Sequence, residues 1–98
     1  MKIEELLKIY DKAEEILFLL DVRTPFEYAE KHILGTINIP IDEIEENLDR
    51  IPQDLRVVTI CQHGVRSAIV CEFLVKNGYR AESMEGGMVL WTGQTETI

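Results

Sequence analysis

Cysteine is scarce in this chain: only Cys61 and Cys71 occur in 98 residues. A secreted domain of this size usually carries a denser disulfide framework, so the scarcity points to a reducing compartment, the cytoplasm. Basic clusters are missing too. Eighteen Asp and Glu stand against ten Lys and Arg, a formal net charge of −8, which opposes nucleic-acid phosphates and anionic membrane surfaces alike. No nucleic-acid or membrane partner is expected. Apolar runs such as Ile16-Leu17-Phe18-Leu19-Leu20 are far too short to cross a bilayer. The N-terminus has no basic segment leading into an apolar stretch and a small-residue cleavage site, so no signal peptide is expected. Three prolines and six glycines gather into no low-complexity tract or linker, and no internal repeat is visible. Residues 1–98 therefore read as one domain, large enough to bury a core without disulfides or a metal.

What is present is an alternation of apolar patterns. Ile3, Leu6, Leu7 and Tyr10 follow a helical spacing over residues 3–13. Ile16 to Val22 is a continuous apolar run ending at Asp21, the pattern of a strand buried on both faces. Thr24-Pro25-Phe26-Glu27 supplies an N-cap, a first-turn proline and a glutamate for a capping box, so a helix starts at the strand's carboxyl end. Ile37-Asn38-Ile39 makes a short strand stopped by Pro40. Ile41, Ile44, Leu48 and Ile51 return to helical spacing with Asp42 as a plausible cap, and Pro52 ends the segment. Val57 to Ile60 is a second buried strand, Ser67 to Lys76 a helix closed by Asn77-Gly78, and Ala81 to Met84 a last strand. Gly86-Gly87 leads to a short closing helix containing Trp91. Strands alternating with such connections predict an α/β fold, an open parallel sheet of four to five strands with helices on both faces.

Ligands in open parallel sheets bind beyond the carboxyl ends of the strands, and Cys61 ends one of them. It begins the turn Cys61-Gln62-His63-Gly64-Val65-Arg66-Ser67, which feeds a helix. Gly64 permits a tight turn with several N–H groups facing inward, and the helix N-terminus adds partial positive charge. Such surroundings lower a thiol pKa from about 8.5 toward ~3.5–7.5. Cys61 is the candidate nucleophile, and Gln62, His63, Gly64, Val65, Arg66 and Ser67 form the candidate substrate- or anion-binding loop.

With that loop in view, the chain resembles the rhodanese family from Leu20 to Trp91. The matching pieces are Asp21-Val22-Arg23, Glu27-Tyr28, His32-Ile33-Leu34-Gly35-Thr36-Ile37-Asn38-Ile39-Pro40, the Cys61 to Ser67 loop, and Glu85-Gly86-Gly87 with Trp91. Each piece is weak alone; their order makes them specific. The resemblance implies a five-stranded parallel sheet whose first edge strand falls within Met1 to Ile3. It also implies a sulfurtransferase carrying sulfur as a persulfide on Cys61, with a small-molecule or protein-bound sulfur donor and acceptor and no cofactor. Leu34 departs from the proline common in its segment. Gln62 and His63 stand where thiosulfate-using members tend to carry an added basic residue, which argues against thiosulfate as the physiological donor. Cys61 to Arg66 spans six residues, as in sulfur-transferring members, whereas the related phosphatases and arsenate reductases use a loop one residue longer. Two alternatives remain: a non-catalytic interaction module that retains the fold and, less favoured, a cysteine-dependent phosphatase or arsenate reductase.

Other residues receive plainer readings. Arg66 either binds an anionic donor or anchors the loop by pairing with a carboxylate such as Glu85. His63 either tunes Cys61 or points to solvent. His32 and Arg23 are expected to be structural, through hydrogen bonds and an ion pair. Cys71 is expected to be an inert thiol buried on a helix face, with no disulfide to Cys61. Cys61, His63 and Cys71 lack a fourth ligand and a recurring spacing, so no metal site is expected.

Overall fold

The structure, a computed structural model, describes residues 1–13 and 15–98. Glu14, part of the acidic pair Glu14-Glu15, lies outside the described residues. The first helix, α1 (Ile3–Lys12), buries Leu6 and Ile9, with Glu4 and Glu5 in its first turn and Lys12 in its last. Each charge sits at the end of the helix dipole that favours it. The chain then enters β1 (Leu17–Asp21), and the anticipated cap follows: the Thr24 side chain accepts from the Glu27 N–H while the Glu27 carboxylate accepts from the Thr24 N–H. This reciprocal box starts α2 (Pro25–Glu30) and is worth about 1 kcal/mol to so short a helix.

Beyond α2 come β2 (His32–Ile33), β3 (Ile37–Asn38), β4 (Arg56–Ile60), α3 (Val65–Lys76), β5 (Arg80–Ser83) and β6 (Thr95–Glu96). β3, β1, β4 and β5 lie in that order in one parallel sheet. Leu20 aligns with both Ile37 and Thr59, which fixes the register through the centre. β1 and β4 carry side chains alternately to two cores. Leu19, Val58 and Ile60 join Leu6, Ile9, Met84 and Trp91 on the α1 face. Leu20, Val57 and Cys61 join Val70, Leu74, Ile44 and Ile51 on the α3 face. Two buried faces explain why both strands read as unbroken apolar runs.

Several expectations need correction. The proposed edge strand at the start of the chain is absent among the described residues. Met1 alone lies beside the end of β5, its ammonium donating to the Ser83 carbonyl at 2.7 Å and its own carbonyl accepting from the Glu85 N–H at 2.9 Å. The segment after Pro40 is two 3-10 turns, Ile41–Glu43 and Glu45–Arg50, with a kink at Asn47 and no cap from Asp42. The cause is local: the Asn47 side-chain amide donates to the Glu43 carbonyl at 2.8 Å, an acceptor that an α-helix would give to the Asn47 N–H. Helix α3 begins at Val65, two residues before Ser67, because Gly64 adopts a left-handed conformation (φ 92°) and turns the chain early. Trp91 follows the 3-10 turn Met88–Leu90 in extended backbone and lies outside any helix.

Candidate active site

After β1 the chain runs to β3 on one side, and it later returns as β4 on the other side of β1. The order therefore reverses between β1 and β4: the chain leaves one toward β3 and the other toward β5, which opens a crevice beyond their carboxyl ends of the kind where such sheets bind ligands. Arg23 and Cys61 stand there, just past the two strands. A bond from the Val22 N–H to the Ile60 carbonyl (2.9 Å) holds the two ends together.

Cys61 is 1% exposed, and its sulfur lies at the floor of the loop. The Gly64 N–H donates to it at 3.1 Å and the Ser67 N–H at 3.3 Å, and the thiol itself donates to the Ser67 hydroxyl oxygen at 3.4 Å. Burial pushes the Cys61 thiol up, but the Ser67 hydroxyl and the N–H groups of Ser67, Gly64 and His63 outweigh it, so the pKa falls below the ordinary thiol value. The N–H groups of Gln62, Val65 and Arg66 have no protein acceptor among the described residues. Three loop N–H groups beside the sulfur-bearing residue are thus unspent on protein.

The loop is clamped from behind. Its Cys61 and Gln62 carbonyls accept from the Met88 N–H (2.9 Å) and the Val89 N–H (3.2 Å). Gly87, at φ 77°, passes so close that a Cβ there would collide with the Gln62 carbonyl. Beneath the loop, the Thr59 hydroxyl donates to the Ser67 carbonyl at 2.8 Å, and the Ser67 and Ser83 hydroxyls share a 2.7 Å bond.

Arg66 is half-buried and anchored, but its partner is Glu27 on α2, not Glu85. Its two terminal nitrogens donate to the two carboxylate oxygens at 2.7 and 2.9 Å. The hydrogen bond from Arg66 is the main reason the Glu27 carboxyl is lowered to about 2. Glu85 instead faces the chain's amino terminus at 3.6 Å. Gln62 accepts from Arg23 at 3.3 Å, and His63 is exposed with no side-chain hydrogen bond among the described residues.

These features can be set beside known proteins. The family model described as Rhodanese-like domain matches residues 2–94. The chain belongs to the rhodanese-like family. Within that family it is 37% identical to the sulfurtransferase-named YtwF of Bacillus subtilis, over 98% of this chain and 97% of the relative. It is 36% identical to a protein of Allochromatium vinosum named sulfurtransferase, over 79% of this chain and 73% of that one. The crystal structure of a rhodanese-like domain protein from Staphylococcus aureus superposes with a TM-score of 0.92 at 33% identity, covering 100% of this chain and 96% of that one.

The family motif residues fall into place around the cradle. Arg23 is buried and grips Asp21 through three contacts of 2.8–3.2 Å while donating to the Lys31 carbonyl at 2.7 Å. It is structural, as anticipated. His32 is buried, stacks on Tyr28 and holds the Tyr28 carbonyl at 2.7 Å and Glu96 at 2.9 Å. Cys71 is a free thiol, but half-buried where full burial was expected. Its sequence neighbours Val70 and Leu74 take the core positions, leaving Cys71 at the edge of the buried stripe.

Sequence reasoning missed Glu27 as a loop partner, Ser83 as a neighbour of Ser67, and the clamp through Met88. Nothing local signals the first two. For the third, the Gly86-Gly87 pair was the available signal, since adjacent glycines permit a close backbone approach. A cavity of about 330 Å³ opens beside the loop, lined by Arg23, Glu27, Lys31, Gln62, Met88 and Trp91 among others. Cys61 does not reach its wall; Gln62 does.

Proposed function

We propose that this chain is a sulfurtransferase that takes sulfane sulfur onto Cys61 as a persulfide and passes it to a nucleophilic acceptor. The observation that carries this reading is the cradle itself: a buried thiol with a lowered pKa, two N–H groups donating to its sulfur, the Ser67 hydroxyl in hydrogen-bond contact with it, and further loop N–H groups unspent. The names of the relatives point the same way.

In the first step the Cys61 thiolate attacks the outer sulfur of a donor R–S–SH. The donor's S–S bond breaks, R–S⁻ leaves with the electron pair, and Cys61–S–SH forms. In the second step an acceptor nucleophile attacks that outer sulfur, the new S–S bond breaks, and Cys61 returns as thiolate. The fixed N–H groups and the amino end of α3 stabilise negative charge on either sulfur in both steps, without reorganising. Two free thiols suit a reducing compartment such as the cytoplasm.

Intact-mass analysis after exposure to a persulfide donor should show one added sulfur that cyanide removes. Peptide mapping should place it on Cys61. An added sulfur on Cys71 alone, or none on either thiol, would sink the proposal.

A further inference from the structure

Arg66 is the only arginine or lysine in the loop from Cys61 to Ser67, and it lies close enough for the Cys61 thiolate to act on it electrostatically. A guanidinium in that position is the natural means of drawing in a donor with a sulfonate end. Here its fork is already filled. Both terminal nitrogens face the two oxygens of Glu27, at 2.7 and 2.9 Å, in the bidentate geometry that leaves little to offer a second anion. Glu27 is itself held in place by the capping box of α2, through bonds of 3.0 and 3.1 Å from the Thr24 N–H and hydroxyl.

The cavity beside the loop repeats this balance. Arg23 is spent on Asp21, Glu27 on Arg66, and Lys31 sits next to Glu30 on the same wall. Lys31 makes no ion pair among the described residues, and Glu30 on the same wall offsets its charge. Thiosulfate carries two negative charges, placed next to the sulfur to be transferred. The persulfide of an amino-acid thiol carries at most one net charge, and its ammonium and carboxylate match a wall that holds both signs.

We propose that Glu27 sets the donor preference of this site: by filling the fork of Arg66 it withdraws the loop's one fixed cation from donor capture, and so favours persulfides of zwitterionic thiols over the thiosulfate dianion. This rests on the sulfurtransferase reading. Glu27 acts through Arg66 and is a positioning residue, not one that touches the reacting sulfur.

The test compares kcat/KM for thiosulfate and for cysteine persulfide at low ionic strength. Glu27→Gln keeps an amide oxygen able to close the capping box, so α2 retains its start while the charge is lost. It should raise kcat/KM for thiosulfate on the order of tenfold and leave that for cysteine persulfide within about twofold. Glu27→Asp keeps the net charge but draws the carboxylate back by one methylene, and should give a smaller rise in the same direction. A control separates general charge effects: Asp54→Asn removes one exposed negative charge at the far end of β4 and should leave the ratio of the two donors within about twofold of the parent. An unchanged donor ratio in both Glu27 variants overturns the proposal, as does an equal shift in Asp54→Asn. If the parent protein gains sulfur on Cys61 and yet the ratio does not move, only the role of Glu27 fails. If Cys61 gains no sulfur from either donor, the sulfurtransferase reading fails as well.

Discussion

A thiol that is 1% exposed would ordinarily be a poor nucleophile, because burial favours its neutral form. Cys61 escapes this through the Ser67 hydroxyl and the loop N–H groups, whereas Cys71 has no comparable donors, so that burial and the nearby carboxylates of Glu82 and Glu72 push its thiol up. The two cysteines should therefore separate in a titration. Alkylation of Cys61 by a small haloacetamide should rise with pH through a midpoint below the ordinary thiol value, while Cys71 rises above it. The sign follows from the thiolate being the reactive form: it accumulates above each folded-state pKa and vanishes below it. Ser67→Ala removes the hydroxyl and should move the Cys61 midpoint up, toward the ordinary thiol value. Peptide-resolved alkylation rates across pH check both claims, and a Cys61 midpoint at or above that of Cys71 would contradict them. Cys61 was legible in the sequence because strand, glycine and arginine coincide along the chain. The partner of Arg66 was not. Glu85 is nearer to it in sequence, but α2 is brought against the loop by the sheet order, which places Glu27 there instead.

At the level of elements, legibility followed length and burial. β1, β4 and α3 each bury several apolar side chains, and their patterns foretold them to within two residues. β2 and β6 are two residues each, and the exposed Thr95–Glu96 strand carries no apolar signal at all. They pair antiparallel, His32 opposite Glu96 and Ile33 opposite Thr95, outside the main sheet. The stretch from Gly86 to Leu90 shows what a short irregular element can do. It supports the loop with backbone alone, two N–H groups on two loop carbonyls, and this works only because Gly87 brings no side chain between them. Gly87→Ala faces both a left-handed φ of 77° and a collision with the Gln62 carbonyl. Together these should cost about 2–4 kcal/mol. Sulfur loading of Cys61 should fall even below the unfolding temperature, since the displaced carbonyl belongs to the cradle. Thermal unfolding and intact-mass loading of this variant, read together, check the prediction. Full loading with unchanged stability would mean that the clamp does not hold the loop.

The whole molecule measures 30 × 30 × 20 Å and carries a formal net charge of −8. At about 0.01 M salt the screening length is roughly 30 Å, so an approaching anion feels the charge of the entire surface. At about 0.15 M it is roughly 8 Å, and only groups near the crevice still count. Those groups, Asp21 with Arg23 and Glu27 with Arg66, are nearly balanced. Adding salt should thus remove a long-range repulsion without weakening a local attraction. We expect kcat/KM for thiosulfate to rise several-fold between about 0.01 and 0.15 M of a monovalent salt, mainly through KM, and that for cysteine persulfide to rise less. A site that captured thiosulfate with an unpaired cation would behave in the opposite way, losing efficiency as salt screened the attraction. The direction of the salt dependence therefore distinguishes the two designs without any substitution. A fall for thiosulfate across this range would mean that a cation of the crevice, Lys31, Arg66 or Arg23, captures the donor, against the local balance of charge.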